Sequence, residues 1–439
     1  MPKILLSPVT AVTCNDAFEV IENAAIHIED GRITFVGRAQ DAPPFAADQT
    51  IGGEHLVAMP GLINTHTHSA MTLLRGYADD MALEPWLQTK IWPFEGNLNQ
   101  DDVYWGTMLA IAEMLRGGTT TFADMYFFYE EGARAITETG IRSCPGAVFL
   151  GFLPEPEKRL ENAKRFVRDY AGAADGRITP FFAPHSLYTV NADQWQTIIG
   201  WARELNAPIQ THVAETKREV EDVIKQWGQT PVQTLEKIGA LEGPLLAAHC
   251  VHLTAEDIDI MARRDFRVAH NPTSNLKLAS GFSPVPELLK RGVKVGLGPD
   301  GTASNNNLDM WEELHLAALI HKATTGDPTA VSAQQALSMA TRDGARCLSL
   351  ENEIGSLQTG KKADVVLVDF DAPHLTPCFN VVSHLVYAAS ASDVHSVIVD
   401  GKVLMHDRRF TELDAKLIMG KARESSKRLA ALAAEQAKA

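Results

Sequence analysis

Met59-Pro60-Gly61-Leu62-Ile63-Asn64-Thr65-His66-Thr67-His68 is an apolar run with strand character that ends in two histidines one residue apart. Along a strand, successive side chains alternate faces, so residues i and i+2 project to the same side. Two imidazoles so placed reach neighbouring positions on one metal ion with little backbone distortion. Taken alone, the pair fits two polar residues capping a strand equally well. What separates the two readings lies downstream, where further short apolar runs each end in a His, Glu or Asp.

Those runs set the architecture. Strand candidates cover 56–64, 119–124, 141–148, 178–184, 208–211, 245–248, 266–269 and 293–298, and amphipathic stretches such as 101–116, 193–205, 217–227 and 309–322 lie between them. Eight strands alternating with helices over roughly 300 residues predict a (β/α)8 barrel. A doubly wound open sheet is the structural rival. Against it, no GxGxxG or Walker-type phosphate loop follows the first strand.

The two ends of the chain resemble each other. Glu29-Asp30-Gly31-Arg32 and Asp400-Gly401-Lys402 each sit between β-branched runs. Asp-Gly in that setting signals a hairpin, because the turn needs positive φ. The run 363–370 adds another strand, and neither end alone has enough strands to bury a face. The expected layout is therefore a small β-sandwich from residues 1–57 plus 363–412, a catalytic barrel over 58–362, and a C-terminal surface helix over 413–439 with a frayed end.

Composition narrows the function. A hydrophobic content of 45% and a charged content of 22% describe an ordinary globular chain. The net charge of −15 disfavours phosphate backbones and anionic lipid, so neither a nucleic-acid nor a membrane partner is expected. The five scattered cysteines show no CxxC spacing and read as buried thiols of a reducing compartment, with the cytoplasm as the expected location.

In a barrel, functional groups sit at the C-terminal ends of the strands. Those positions hold His66, His68, Asp124, His185, His212, His249 and Asp300, with Glu95 and Glu215 just beyond. His66, His68, His212 and Asp300 supply three imidazoles and a carboxylate, a set suited to one divalent ion, Zn²⁺ first and Fe²⁺ second. Such an ion lowers the pKa of water towards neutrality. A hydrolytic site also needs a proton carrier, and Glu215 stands at the start of the next helix. Its plainer reading is an N-terminal helix acid, and that of His249 is a core histidine bonded to backbone.

PGLINTHTH (60–68), THVAET (211–216), HCVHL (249–253), HNPTSNLKLASG (270–281) and GLGPDGTASNNNLDM (296–310) together resemble the amidohydrolase superfamily, in its cytosine-deaminase-like branch with the s-triazine hydrolases. LRGYADDMALEPWL (74–87) followed by IWPFE (91–95) is similar to the 5-methylthioadenosine/S-adenosylhomocysteine deaminases within that branch. The resemblance implies that His66, His68, His212 and Asp300 hold the metal, that Glu215 protonates the ring nitrogen, and that His249 orients the attacking oxygen. It implies further that Asp300 relays the water proton to the leaving amine, that Glu95 binds ribose hydroxyls, and that His185 contacts the purine. Trp86 and Trp92 would either wall the base by stacking or pack into the core, and the sequence fits both equally. The resemblance also allows a homo-oligomer.

Two absences sharpen this expectation. No lysine stands in Phe181-Phe182-Ala183-Pro184-His185, where two-metal members carry a bridging one, and the HxE with PCxxC signature of the other zinc deaminase fold is missing. The stretch 148–155 is apolar and then acidic, which suits a methylthio group better than a charged tail. The expected reaction is thus hydrolytic deamination of an adenine nucleoside, 5′-methylthioadenosine ahead of S-adenosylhomocysteine or adenosine. The alternatives are deamination or dechlorination of another purine, pyrimidine or s-triazine ring, and a non-catalytic binding protein on the same fold.

Overall fold

The computed structural model describes residues 2–436. The run 56–64 is two strands rather than one. Leu56–Pro60 pairs antiparallel with Val365–Asp369 and parallel with Ile4–Val12, whereas Leu62–Thr67 turns into a separate barrel. Gly61 makes the break. A Cβ there would lie 2.0 Å from Thr120 Oγ1, so only glycine lets the chain pass, and its N–H donates to Asp364 O at 3.0 Å.

The barrel is closed and all-parallel. Its strands are β1 (Leu62–Thr67), β2 (Thr119–Tyr126), β3 (Arg142–Phe149), β4 (Phe181–Pro184), β5 (Ile209–Val213), β6 (Leu245–His249), β7 (Phe266–His270) and β8 (Lys294–Leu297). Each pairs with the next, and Leu297 opposite Asn64 closes the ring. Nearly every strand residue is buried, as a sheet covered on both faces requires. The helices Gln100–Arg116, Ala192–Leu205, Lys217–Trp227 and Met310–Thr325 pack outside. Asn99 and Asn191 start the first two with reciprocal capping boxes, which fix where each helix begins.

The chain ends form one nine-stranded sheet beside the barrel. Val20–Glu29 with Arg32–Arg38, and Val394–Val399 with Lys402–His406, are the two expected hairpins. Their turns, Asp30-Gly31 and Asp400-Gly401, have positive φ at all four residues (49°, 76°, 49° and 76°) and meet tip to tip. A Cβ on Gly401 would lie 2.6 Å from Gly31 Cα, so the contact depends on both glycines.

The helix Ala415–Gln436 is less superficial than its composition suggests. It buries Ile418, Ala422, Leu429 and Ala433, and its Ala422, Leu429 and Ala433 join a cluster with Leu73, Trp86 and Phe94. The frayed end falls on 437–439, outside the described residues. Four cysteines are buried as expected, but Cys378 is exposed in a loop. Among the described residues, no helix is long and apolar enough to cross a membrane.

Candidate active site

The C-terminal rim of the barrel gathers the side chains singled out above. His66 Nε2 and His68 Nε2 lie 3.4 and 3.3 Å from Asp300 Oδ1, and His68 Nε2 lies 3.4 Å from His212 Nε2. His68 Nδ1 is 2.6 Å from Met125 O, and His212 Nδ1 is 2.9 Å from His185 O. A carbonyl oxygen only accepts, so both Nδ1 atoms carry the proton and both Nε2 atoms of the neutral rings present lone pairs. Two lone pairs facing each other at that distance repel unless a proton or a metal ion lies between them. His66 Nε2 and Asp300 Oδ1 are likewise buried without a hydrogen-bond partner. The four side chains therefore fit a divalent ion, with outer-shell carbonyls fixing the rings.

Charge balance agrees with that fit. Burial and the surrounding imidazoles hold His212 well below the usual histidine range, and burial pushes His66 down to about 4, so both stay neutral and able to coordinate. Burial also works against charge on His68, but Asp300 outweighs it and lifts the ring to about 9. A proton and a cation thus compete for the same nitrogen. A second grouping, His66 with His212 and His249, shares His66 and His212 with these four.

The backbone is strained where these groups are presented. Ala214, His249, Cys250 and Asp300 all have φ in the left-handed region, at 52°, 73°, 50° and 64°. Such conformations cost of order 1–3 kcal/mol each and persist only where the surroundings enforce them. At Ala214 and Glu215 the buried Glu219 carboxylate enforces it, accepting both backbone N–H groups at 3.0 and 2.7 Å.

Glu215 Oε2 lies 3.7 Å from His249 Nε2. Burial pushes the Glu215 carboxyl up to about 7 against the opposing pull of His249. Burial lowers His249, but Glu215 and Asp300 outweigh it and raise the ring. The two form an acid–base pair. Asp124 does not face this centre. Its carboxylate accepts the Ser69 N–H and Oγ–H, both at 2.7 Å, and so fixes the turn that follows His68.

A cavity of about 660 Å³ opens above the rim, walled by Trp86, Trp92, Glu95, Tyr126, His185 and Tyr188. Trp86 and Trp92 come from a helical rod that widens to a π-turn over Leu87–Ile91, a feature frequent at functional sites. The Trp86 indole is fixed by its N–H bond to Ala78 O at 3.0 Å. Desolvation pushes Glu95 up to about 7 although Tyr126 donates its hydroxyl to it at 2.8 Å. The His185 ring lies 4.6 Å from that of His212, centroid to centroid. Past Trp92, Glu95 and Leu150 the cavity continues into an outer chamber that Arg159 and Asn162 help to line.

Sequence reasoning did not find Tyr126, Arg159, Ser274, Asn275 or Ser304. Tyr126 lies two residues beyond Asp124 on the same strand face, which was a usable signal. Arg159 follows the acidic residues 155 and 157 by only a few positions, but its direction depends on the helix Pro156–Tyr170.

The profile of the Amidohydrolase family matches residues 57–404. A relative from Desulforamulus reducens named 5-methylthioadenosine/S-adenosylhomocysteine deaminase is 47% identical over 431 residues, covering 98% of this chain and 100% of the relative. An adenosine deaminase from Xanthomonas campestris with bound zinc superposes with a TM-score of 0.94 at 38% identity, covering 98% of each chain. A mutant atrazine chlorohydrolase from Arthrobacter aurescens, complexed with zinc and atraton, superposes with a TM-score of 0.89 at 25% identity over 96% of this chain and 100% of the other.

Proposed function

Because the chain belongs to the amidohydrolase family, we propose that it is a metal-dependent deaminase of adenine nucleosides, with 5′-methylthioadenosine as its preferred substrate. The observation that carries this reading is the Glu215–His249 pair, 3.7 Å apart under an aromatic-walled cavity, with Glu215 pushed up to about 7. Ring deamination needs a proton donor for the nitrogen beside the attacked carbon, and a carboxyl protonated near neutral pH is such a donor. The relatives' names support the nucleoside, and the zinc held by the similar structures supports zinc as the ion.

His66, His68, His212 and Asp300 would hold the ion, whose bound form supplies Lewis acidity that makes water nucleophilic at neutral pH. Glu215 protonates the ring nitrogen and withdraws electrons from the carbon that bears the amine. His249 Nε2 steers the incoming oxygen and bonds to it as charge develops. Asp300 takes one water proton and passes it to the amine, which leaves as ammonia; the ring nitrogen keeps the proton from Glu215, and the second water proton, released as the carbonyl forms, restores Glu215. Trp86 and Trp92 sandwich the base and exclude water, and His185 bounds its edge. Glu95, with one oxygen accepting from Tyr126, accepts ribose hydroxyls through the other.

Glu215→Gln in zinc-loaded protein should keep the ion and bind nucleoside while losing about 10²–10⁴-fold in kcat, read from the adenine-to-hypoxanthine absorbance change. Near-wild-type turnover in that variant would remove Glu215 from the proton path. Glu95→Ala should raise KM for the nucleoside and leave free adenine unaffected; equal losses for both would deny the ribose contact.

Arg159 favours a second reading, S-adenosylhomocysteine. Apolar Val148, Leu150 and Phe127 line the chamber nearest Glu95 and suit a methylthio group, but a longer substituent ending in a carboxylate would come to the guanidinium. The Arg159 Nε–H donates to Pro154 O at 2.8 Å and holds the side chain against its loop. A charge-assisted bond contributes about 1.5–3 kcal/mol, or about 10–100-fold. Arg159→Met should cut kcat/KM for S-adenosylhomocysteine by that factor and spare 5′-methylthioadenosine. If neither substrate responds, the far end of the chamber plays no part in recognition.

A further inference from the structure

We propose that Ser274 and Asn275, neighbours in one short turn of helix, are positioning residues that select which oxygen of Asp300 and which nitrogen of His249 face the reacting centre. The proposal rests on the roles given to Asp300 and His249 above. β7 ends at His270, between β6, which carries His249, and β8, which leads to Asp300. The helix Pro272–Lys277 follows at once, buried over Pro272, Ser274 and Asn275.

The turn is stitched to both neighbouring strand ends. Asn271 accepts the His249 N–H at 3.3 Å and donates its own amide to Gly298 O at 2.8 Å. The Thr273 N–H donates to the buried Glu313 at 3.2 Å, and Asn305 donates to the same carboxylate at 2.7 Å. Successive helical residues diverge by about 100°. Ser274 therefore reaches towards β8 and Asn275 towards β6.

Each contact selects an atom. Ser274 Oγ donates to Asp300 Oδ2 at 2.7 Å, and Ser304 Oγ donates to the same oxygen at 2.8 Å. With Oδ2 occupied from two sides, Oδ1 is the atom left facing His66 and His68. Asn275 Oδ1 lies 2.9 Å from His249 Nδ1. An amide oxygen only accepts, so Nδ1 carries a proton and Nε2 points at Glu215 and the cavity. Both presented residues have left-handed backbone, and these contacts hold their side chains in the observed orientation.

The test uses zinc-loaded full-length protein with 5′-methylthioadenosine, and zinc affinity measured by chelator competition. Asn275→Leu should lower kcat about 10²-fold with KM within twofold and zinc retained, and Asn275→Asp, which keeps the acceptor, should stay within tenfold of wild type. Ser274→Ala should weaken zinc binding about 10–100-fold, the usual effect of removing an outer-shell partner. Asn275→Leu at wild-type kcat, Asn275→Asp falling as far as Asn275→Leu, or Ser274→Ala with unchanged zinc affinity would each overturn the corresponding half. In wild-type protein labelled with ¹⁵N-histidine, His249, identified by the signal lost in His249→Gln, should show a protonated Nδ1; an Nε2–H tautomer would overturn the Asn275 half even if neither Asn275 variant folds. Should the wild type deaminate no adenine nucleoside, the functional reading fails, and the zinc and ¹⁵N measurements still decide the positioning roles.

Discussion

Under the proposed function, Glu215 is the residue at which burial bears most directly on a rate. Its carboxyl loses hydration on entering the rim and is pushed up to about 7, so it is mostly protonated below that pH and mostly ionised above it. Only the protonated form can donate to a ring nitrogen. kcat/KM should therefore fall as pH rises through about 7, approaching tenfold per unit, in a profile measured under saturating zinc. A flat profile from pH 6 to 9 would show that another group donates the proton. Residues such as His66, His68 and Glu215 are legible in the sequence because their own strand or helix start fixes their direction. Ser274, Asn275 and Ser304 are not, because what they do depends on partners up to 26 residues away that only the barrel brings within hydrogen-bond distance.

Whole elements show a different limit. The eight strand runs and the helices between them follow from apolar periodicity, and the structure keeps each of them. Periodicity says nothing about backbone passing close to backbone, which is why the break at Gly61 was hidden inside one apolar run. The docking of the expected C-terminal helix was hidden for a related reason, since an Ala/Lys/Glu-rich helix reads as solvated until its partner is known. Here it braces the elements around the substrate cavity. Ser426 Oγ donates to Leu73 O at 2.8 Å, Arg428 pairs with the buried Asp102, and Gln436 exchanges amide bonds with Asn97 at 2.9 and 3.0 Å, two residues beyond Glu95. Deleting 415–439 should loosen the rod that carries Trp86, Trp92 and Glu95. The expected outcome is a rise in KM for the nucleoside of about tenfold, worth about 1.4 kcal/mol, with zinc content unchanged. A loss of zinc instead would mean that the helix supports the barrel rim rather than the cavity wall.

At the scale of the molecule, stability and chemistry are assigned to opposite ends of the barrel. The reactive groups line the C-terminal rim, while the N-terminal end of β3 carries Arg142, which pairs with Asp364 at 2.7 and 3.0 Å. Asp364 also accepts the Asp400 N–H at 2.7 Å, and the Asp400 carboxylate lies 3.6 Å from the Arg142 guanidinium, so a buried charge cluster centred on Arg142 and Asp364 ties the barrel to the sheet built from both chain ends. Removing one partner of a buried pair leaves an uncompensated charge and costs about 3–5 kcal/mol, whereas replacing both by apolar groups is often close to neutral. Arg142→Met should therefore lower the unfolding free energy by about that amount in a denaturant titration. kcat/KM of the folded protein at 25 °C should stay within twofold, because no reactive group touches this end. Arg142→Met with Asp364→Leu should recover most of the loss. If the double variant is no more stable than the single one, the tie rests on the hydrogen bond from Asp400 rather than on the charge pair. If kcat/KM falls in step with stability, the rim is coupled to the sheet and the separation of the two ends is wrong.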